Sequence, residues 1–290
     1  MDEVGVTADG LGLRGPRGWA FRGVDVDAEP GSLIAIEGPS GSGRTSLLLA
    51  LTGRMKTTEG TAAVGAARLP RQMAAVRRVS ALAHVAGVTD LEPALTVGEH
   101  LRERALLQRR FDGSVRDLLR PRAQREAHTT SQIDAALAAA GLDREALPKG
   151  ARTAVRDLER IEALRLSVAL ALIGRPRLLG VDDIDLKLTD AERTEVWTLL
   201  GSLAEAGTTV LAVCGGEAPA DAVRVRTDAD TAAGAPAARD GVRAPDAPEP
   251  APGGAGQDGD DAVDTGQGAT DAPTDDEKEG AHADAETGRA

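Results

Sequence analysis

Gly38-Pro39-Ser40-Gly41-Ser42-Gly43-Arg44-Thr45 decides how the rest of this chain is read. Upstream, Leu33-Ile34-Ala35-Ile36 is a short apolar run that reads as a buried strand. Downstream, Thr45-Ser46-Leu47-Leu48-Leu49-Ala50-Leu51 reads as a helix ending at Gly53. Strand, glycine-rich loop and helix, in that order, are the context of a phosphate-binding loop. The glycines let consecutive backbone N–H groups curl inward as an anion nest. The helix adds its free N–H groups and its positive dipole end. Thr45 stands where a hydroxyl would hold Mg2+. The plain alternative, a Gly- and Ser-rich turn without a ligand, does not account for the flanking strand and helix.

One position departs from G-x-x-x-x-G-K-[ST]: Arg44 takes the place of the lysine. Lysine is a compact charge that bridges terminal phosphates, whereas arginine is a broad planar fork. Arg outnumbers Lys by 30 to 4 in this chain. That bias weakens any argument from a single Arg-for-Lys exchange, and leaves open what Arg44 does to the chemistry.

At 290 residues the chain has room for one large domain or two small ones. No leading signal peptide and no apolar run long enough to span a bilayer are read. The single Cys214 excludes an intramolecular disulfide framework and suits a reducing compartment. The expected location is cytoplasmic, or peripheral on the inner face of the cell membrane. The net charge of -12 is unevenly placed. Residues 227–290 carry 16 acidic and 4 basic side chains, while residues 1–226 carry 30 of each. The neutral part offers no electrostatic reason to expect nucleic acid as a partner. From about Thr227 onward Ala, Asp, Gly, Pro and Thr dominate, and such a segment cannot bury enough surface to offset its ordering entropy. It is read as a disordered acidic tail.

Residues 4–36 look like a β-rich opening, in which Val24-Asp25-Val26-Asp27 alternates. Trp19 offers either a face for an adenine or a cap for a sheet. Glu59-Gly60-Thr61 reads as a turn, and Val79 to Val85 as a strand ending near His84. Thr96 and Glu99 have capping-box spacing. Residues 99–147 read as mostly helical, with breaks at Asp112-Gly113, Pro121 and Gly141; Arg102, Arg104, Arg109 and Arg110 lie along them. Val155 to Ile173 reads as one long helix stopped by Arg175-Pro176. Leu178-Leu179-Gly180-Val181 runs into Asp182-Asp183. Thr189 and Glu192 form a second capping box, and Thr208 to Val213 and Val223-Arg224-Val225 read as strands.

Taken together, these stretches resemble the ATP-binding cassette (ABC) family. Pro39-Ser40-Gly41-Ser42-Gly43 is similar to its Walker A loop. Gly174 to Asp183 resembles the end of its signature helix followed by Walker B, and Leu95 to Leu101 resembles the stretch just after its Q-loop. The resemblance covers roughly residues 4–226, and the order and spacing of the motifs make it specific. It implies an α/β fold: a mainly parallel P-loop core, an antiparallel β part near the N-terminus and a helical subdomain around 96–165, together residues 1–226, with the tail at 227–290.

Carried over residue by residue, the resemblance implies that Gly38, Ser40, Gly41, Gly43, Arg44, Thr45 and Ser46 bind ATP. Thr45 and Asp182 would hold Mg2+. Asp183 falls where the family has a water-orienting glutamate, on a stem one methylene shorter. The signature falls on Leu158-Glu159-Arg160-Ile161-Glu162, of which only Leu158 matches. There Glu159 would set a carboxylate near a phosphate and Ile161 a Cβ where backbone must approach closely. The Q-loop glutamine maps to His84, the switch histidine to Gly215 and the D-loop aspartate to Thr189. The function implied is an ATP-binding transporter subunit. It would pair with a second cassette, as a homodimer or heterodimer, and couple binding and weak hydrolysis to a separately encoded membrane permease. A degenerate cassette serving as a regulatory or docking module is the alternative. A P-loop kinase lacks any visible acceptor motif.

Overall fold

The structure, a computed structural model, describes residues 4–111 and 121–227. Its elements form two sheets. In the first, β1 (Val6–Gly15) pairs antiparallel with β2 (Gly18–Ala28) and with β4 (Glu59–Val64), and β4 pairs with β5 (Ala67–Leu69). The alternation at 24–27 has its ordinary meaning: Val24 and Val26 are buried and Asp25 and Asp27 exposed.

The second sheet holds β3 (Leu33–Glu37), β6 (Ser80–Ala83), β7 (Leu178–Val181), β8 (Thr209–Cys214) and β9 (Val223–Arg226) in the order β6-β7-β8-β3-β9, all parallel. Leu33 and Ala35 join Val210, Ala212 and Cys214 in one core, while Ile34 and Ile36 join Leu211 and Val213 in a second core on the opposite face. Strands buried on both faces must be apolar at every position, so they read as continuous runs without alternation.

Helices cover both faces. α1 (Arg44–Leu51) buries Leu47, Leu48, Ala50 and Leu51 in the core shared with the antiparallel sheet. α2 (Met73–Val79) contributes Val76 to that core. α3 (Val97–Phe111), α4 (Arg122–Ala139), α5 (Arg160–Leu172) and α6 (Asp190–Glu205) supply the other. The mainly parallel core, the antiparallel part and the helical insertion are all present. Among the described residues no helix is long and apolar enough to cross a membrane.

Local capping chemistry overrides apolar spacing in one place. Val155 to Ile173 is not one helix. Val155–Asp157 is a single 3-10 turn, Leu158 and Glu159 are extended, and α5 starts at Arg160. The Glu159 N–H donates to Glu162 Oε2 at 2.8 Å, half of a capping box that fixes the start. Pro121 likewise opens α4 as its N-cap. The expected turn at Glu59-Gly60-Thr61 is the start of β4, where pairing with β1 shifts register between Asp9 and Gly12. α2 had no clear signal in its seven residues. The break expected at Asp112-Gly113 and residues 228–290 lie outside the described residues.

Thr227, assigned by composition to the tail, belongs to the fold. It is 1% exposed, its N–H donates to the Glu37 carbonyl at 2.9 Å, and its Oγ1 lies 2.7 Å from Ser42 Oγ. Thr227→Val is expected to leave the buried Ser42 hydroxyl without that partner, costing about 1–2 kcal/mol. A lower urea midpoint for the full chain at unchanged slope is the measurement that checks it.

Candidate functional site

A cradle forms where the chain leaves β3. Gly43 has φ 85, and a Cβ there would fall 2.1 Å from the Ala20 carbonyl oxygen, so the loop lies against β2 only with glycine at this position. Gly41, with φ 83, faces the other way: a Cβ there would meet nothing within 4 Å. Ser40 is exposed and Ser42 is buried. Gly38 turns inward, where a Cβ would lie 2.5 Å from the Thr227 carbonyl oxygen. Of the predicted cradle residues, Gly38 therefore serves the packing beneath the loop.

The backbone N–H groups of Gly43, Arg44, Thr45 and Ser46 donate to no described residue. α1 has no side-chain cap and no acidic residue in its first turn. Four free N–H groups at a positive helix end, beside an open glycine, fit an anion with several oxygens such as a phosphate chain.

Two carboxylates come directly after β7. Asp182 is 3% exposed; its Oδ2 accepts from Thr45 Oγ1 at 2.7 Å and its Oδ1 from the Asp183 N–H at 3.0 Å. Burial pushes the Asp182 carboxyl above the usual range, and Asp183 adds to this; the Thr45 and Asp183 bonds and the Arg44 charge oppose it. Thr45 and Asp182 thus bring two hard oxygens together, the donor type that Mg2+ takes. Among the described residues no three His, Cys, Asp or Glu side chains converge on one point. The pair is a partial set that phosphate and water oxygens would complete. Asp183 takes a left-handed backbone, φ 45, and its carboxylate makes no hydrogen bond to a described residue.

The far wall comes from the end of β8. Arg44 Nη1 donates to the Cys214 carbonyl at 2.6 Å. The N–H groups of Gly215 and Gly216 both donate to Asp185 Oδ2, at 2.9 and 2.6 Å. Burial pushes the Cys214 thiol up to about 12, with Asp185 and Glu37 adding to it, which keeps it in the thiol form at neutral pH. His84 closes the site near β6 with φ 55, and its N–H donates to Ser167 Oγ at 2.7 Å. Burial and then Arg160 push the His84 imidazole down, against the pull of Asp183 and Asp90. At the start of α5, Ile161 is buried in the domain's own core and the Arg160 guanidinium donates to the Leu186 carbonyl at 2.9 Å. Thr189 is the N-cap of α6, in a capping box with Glu192.

A family model described as ABC transporter matches residues 21–185, more than half of the chain. The chain belongs to the ABC transporter family. The cassette fold agrees: the ATP-binding cassette MJ0796, solved as a dimer in a post-hydrolysis state with ADP and Pi, superposes with a TM-score of 0.55 at 22% identity, over 73% of this chain and 88% of that one. Among curated relatives, ABC transporter A family member 4 of Arabidopsis thaliana is 29% identical over 187 residues, 64% of this chain but 18% of its own. Nod factor export ATP-binding protein I of Cupriavidus metallidurans is 30% identical over 191 residues, 65% of this chain and 55% of its own. The cassette therefore spans from under a fifth to about half the length of these relatives.

Several site residues of this ABC domain escaped sequence reading. Asp185 carried a faint signal, the D-x-D spacing after Walker B. Ser167 and Thr227 carried none, because their partners lie 83 and 185 residues away. Trp19 is stacked with arginines: the Arg22 and Arg14 guanidiniums lie 4.6 and 5.6 Å from its ring centroid.

The raised carboxyl of Asp182 has a sign. A carboxyl that holds its proton more tightly when folded loses stability as pH rises from the unfolded value through the folded one, and remains at a deficit above. Asp182→Asn is therefore expected to raise the melting temperature of the nucleotide-free protein at neutral pH, with the gain shrinking as pH falls below the unfolded carboxyl value. Calorimetric scans at pH 7 and below pH 4 check this.

Proposed function

We propose that this domain binds ATP with Mg2+ as the nucleotide-binding subunit of a transporter whose membrane-spanning part is a separate chain. The observation that carries the reading is the row of free N–H groups from Gly43 to Ser46, next to the open Gly41 and beside the Thr45–Asp182 oxygen pair. In it, these N–H groups and the Arg44 charge receive the phosphates. Thr45 Oγ1 and Asp182 hold Mg2+, which supplies charge neutralisation at the phosphate oxygens when bound. Asp183 orients the attacking water from a carboxylate with no competing bond.

Hydrolysis is slow in this reading. Phosphoryl transfer relies on positioned charge, the Asp183 stem is short, and Gly215 has no side chain to offer. The dimeric MJ0796 cassette supports action in pairs. The names of several relatives, ATP-binding proteins of export or import, support a separate membrane subunit at the inner face of the membrane.

A groove on the domain supports the reading of a partner chain. A groove of about 1020 Å3 is lined by four arginines, Arg54, Arg77, Arg78 and Arg104, and two carboxylates, Asp90 and Glu103, with Val88 and Leu107 among its apolar residues. Burial, then Arg77 and Arg104, push the Arg54 guanidinium down to about 10. Arg54, Arg77 and Arg104 bond to main-chain carbonyls and Ser80, and none of the four pairs with a described carboxylate. An acidic segment with apolar side chains would relieve this crowding of positive charge.

Titration calorimetry of the full chain is expected to show micromolar ATP binding that requires Mg2+, lost in Asp182→Ala. Phosphate release on the same sample is expected to be slow and to vanish in Asp183→Asn while binding persists. Absence of ATP binding by the wild-type chain would overturn the reading.

A further inference from the structure

Two departures from the pattern the site resembles, Arg44 and Gly215, are neighbours in space. The Arg44 guanidinium reaches from the first residue of α1 to the end of β8, where Nη1 meets the Cys214 carbonyl at 2.6 Å. A Cβ built on Gly215 would stand 3.3 Å from that same nitrogen. This is closer than ordinary contact, and it is only the first atom of a side chain. A side chain at 215 would crowd the guanidinium, which must give way by at least a few tenths of an ångström.

The backbone at 215 has little freedom to yield. The Gly215 and Gly216 N–H groups share one oxygen of Asp185, and Cys214 is buried in β8, paired with β3. Arginine also has capacity that lysine lacks. Its planar fork carries five N–H donors, so one spent on the Cys214 carbonyl leaves four.

The geometry points to Arg44 and Gly215 as one specificity-determining unit: the guanidinium, held over Gly215 by the Cys214 carbonyl, contacts the terminal phosphate of a bound nucleoside triphosphate from the side where a residue-215 side chain would otherwise stand. This rests on the nucleotide-binding reading above and goes further, because it makes the two departures a single change. Glycine at 215 is the room that arginine at 44 needs. The same contact makes the site prefer a triphosphate to a diphosphate.

A double-mutant cycle on the full chain tests it, with Mg-ATP and Mg-ADP titrated by calorimetry into wild type, Arg44→Lys, Gly215→His and the double variant, and melting temperatures taken for each. Gly215→His alone is expected to weaken ATP binding about tenfold, with a smaller effect on ADP. In the Arg44→Lys background the same change is expected to cost no more than about twofold. If Gly215→His folds only in that background, the coupling is seen in stability. If it folds in neither, Gly215→Ala carries the comparison, since its Cβ alone meets Nη1. Effects that simply multiply, or that fall equally on ATP and ADP, would overturn the pair while leaving nucleotide binding in place. A wild-type chain that binds neither nucleotide would overturn the underlying reading, and the pair with it.

Discussion

Parallel pairing of β3 with β8, in the register Glu37 opposite Cys214, and of β8 with β7, Val181 opposite Ala212, sends three chain ends out of one edge of the sheet. The segments leaving those three ends make the site. After β3 comes the anion nest, after β7 the Asp182-Asp183 pair, and after β8 the Cys214 carbonyl with the two glycine N–H groups. In an open α/β sheet the crevice outside the carboxyl ends of the strands is where ligands bind. Here the bonds from Thr45 to Asp182 and from Arg44 to Cys214 close that crevice on two sides.

The antiparallel sheet is a working part of this arrangement. It shares a core with α1 through Ile34, Ile36, Leu47, Leu48, Phe21 and Val24. Its β2 presses the Ala20 carbonyl so close to Gly43 that no side chain fits between them. On the inner side, Thr227 at the end of β9 clamps Ser42 and Gly38. The loop is thereby held between two strands, with Ser42 buried against Thr227 and Ser40 left exposed. Holding donors rigid before the ligand arrives avoids an ordering cost on binding. The buried carboxylate of Asp182 works against stability in the empty domain, the usual exchange between stability and a prepared site.

The altered positions fall into a spatial pattern. The nest glycines, Thr45 and Asp182 retain the residue types that the proposed phosphate and metal site needs. Arg44 and Gly215 lie side by side at the end of β8, and Asp183 follows Asp182 after β7. Glu159 and Ile161, at the start of α5, are satisfied locally, one as an N-cap and the other in the core. Replacement of one group in such a cluster changes the room and charge available to its neighbours. Arg44 over Gly215 is that effect seen at one contact.

The chain's own sequence determined the elements whose cause is local or periodic. Leu33 to Thr45 announced strand, nest and helix; the Thr96 and Thr189 capping boxes announced α3 and α6; the apolar runs at 178–181 and 208–213 announced strands, the second shifted by one residue from the observed Thr209–Cys214. That Thr45 and Asp182 would meet was legible because both sit at fixed positions just after buried strands. The tertiary structure alone decided the rest, wherever the cause lies far along the chain. Thr227 joins the fold through Ser42, Gly43 must be glycine because of Ala20, and Glu159 ends what apolar spacing would continue. Arg44 and Gly215, 171 positions apart in sequence, became one feature only when β3 and β8 were laid side by side. Sequence spacing reports which face a residue takes within one element, but the distance between two elements is set by packing, which no local pattern records.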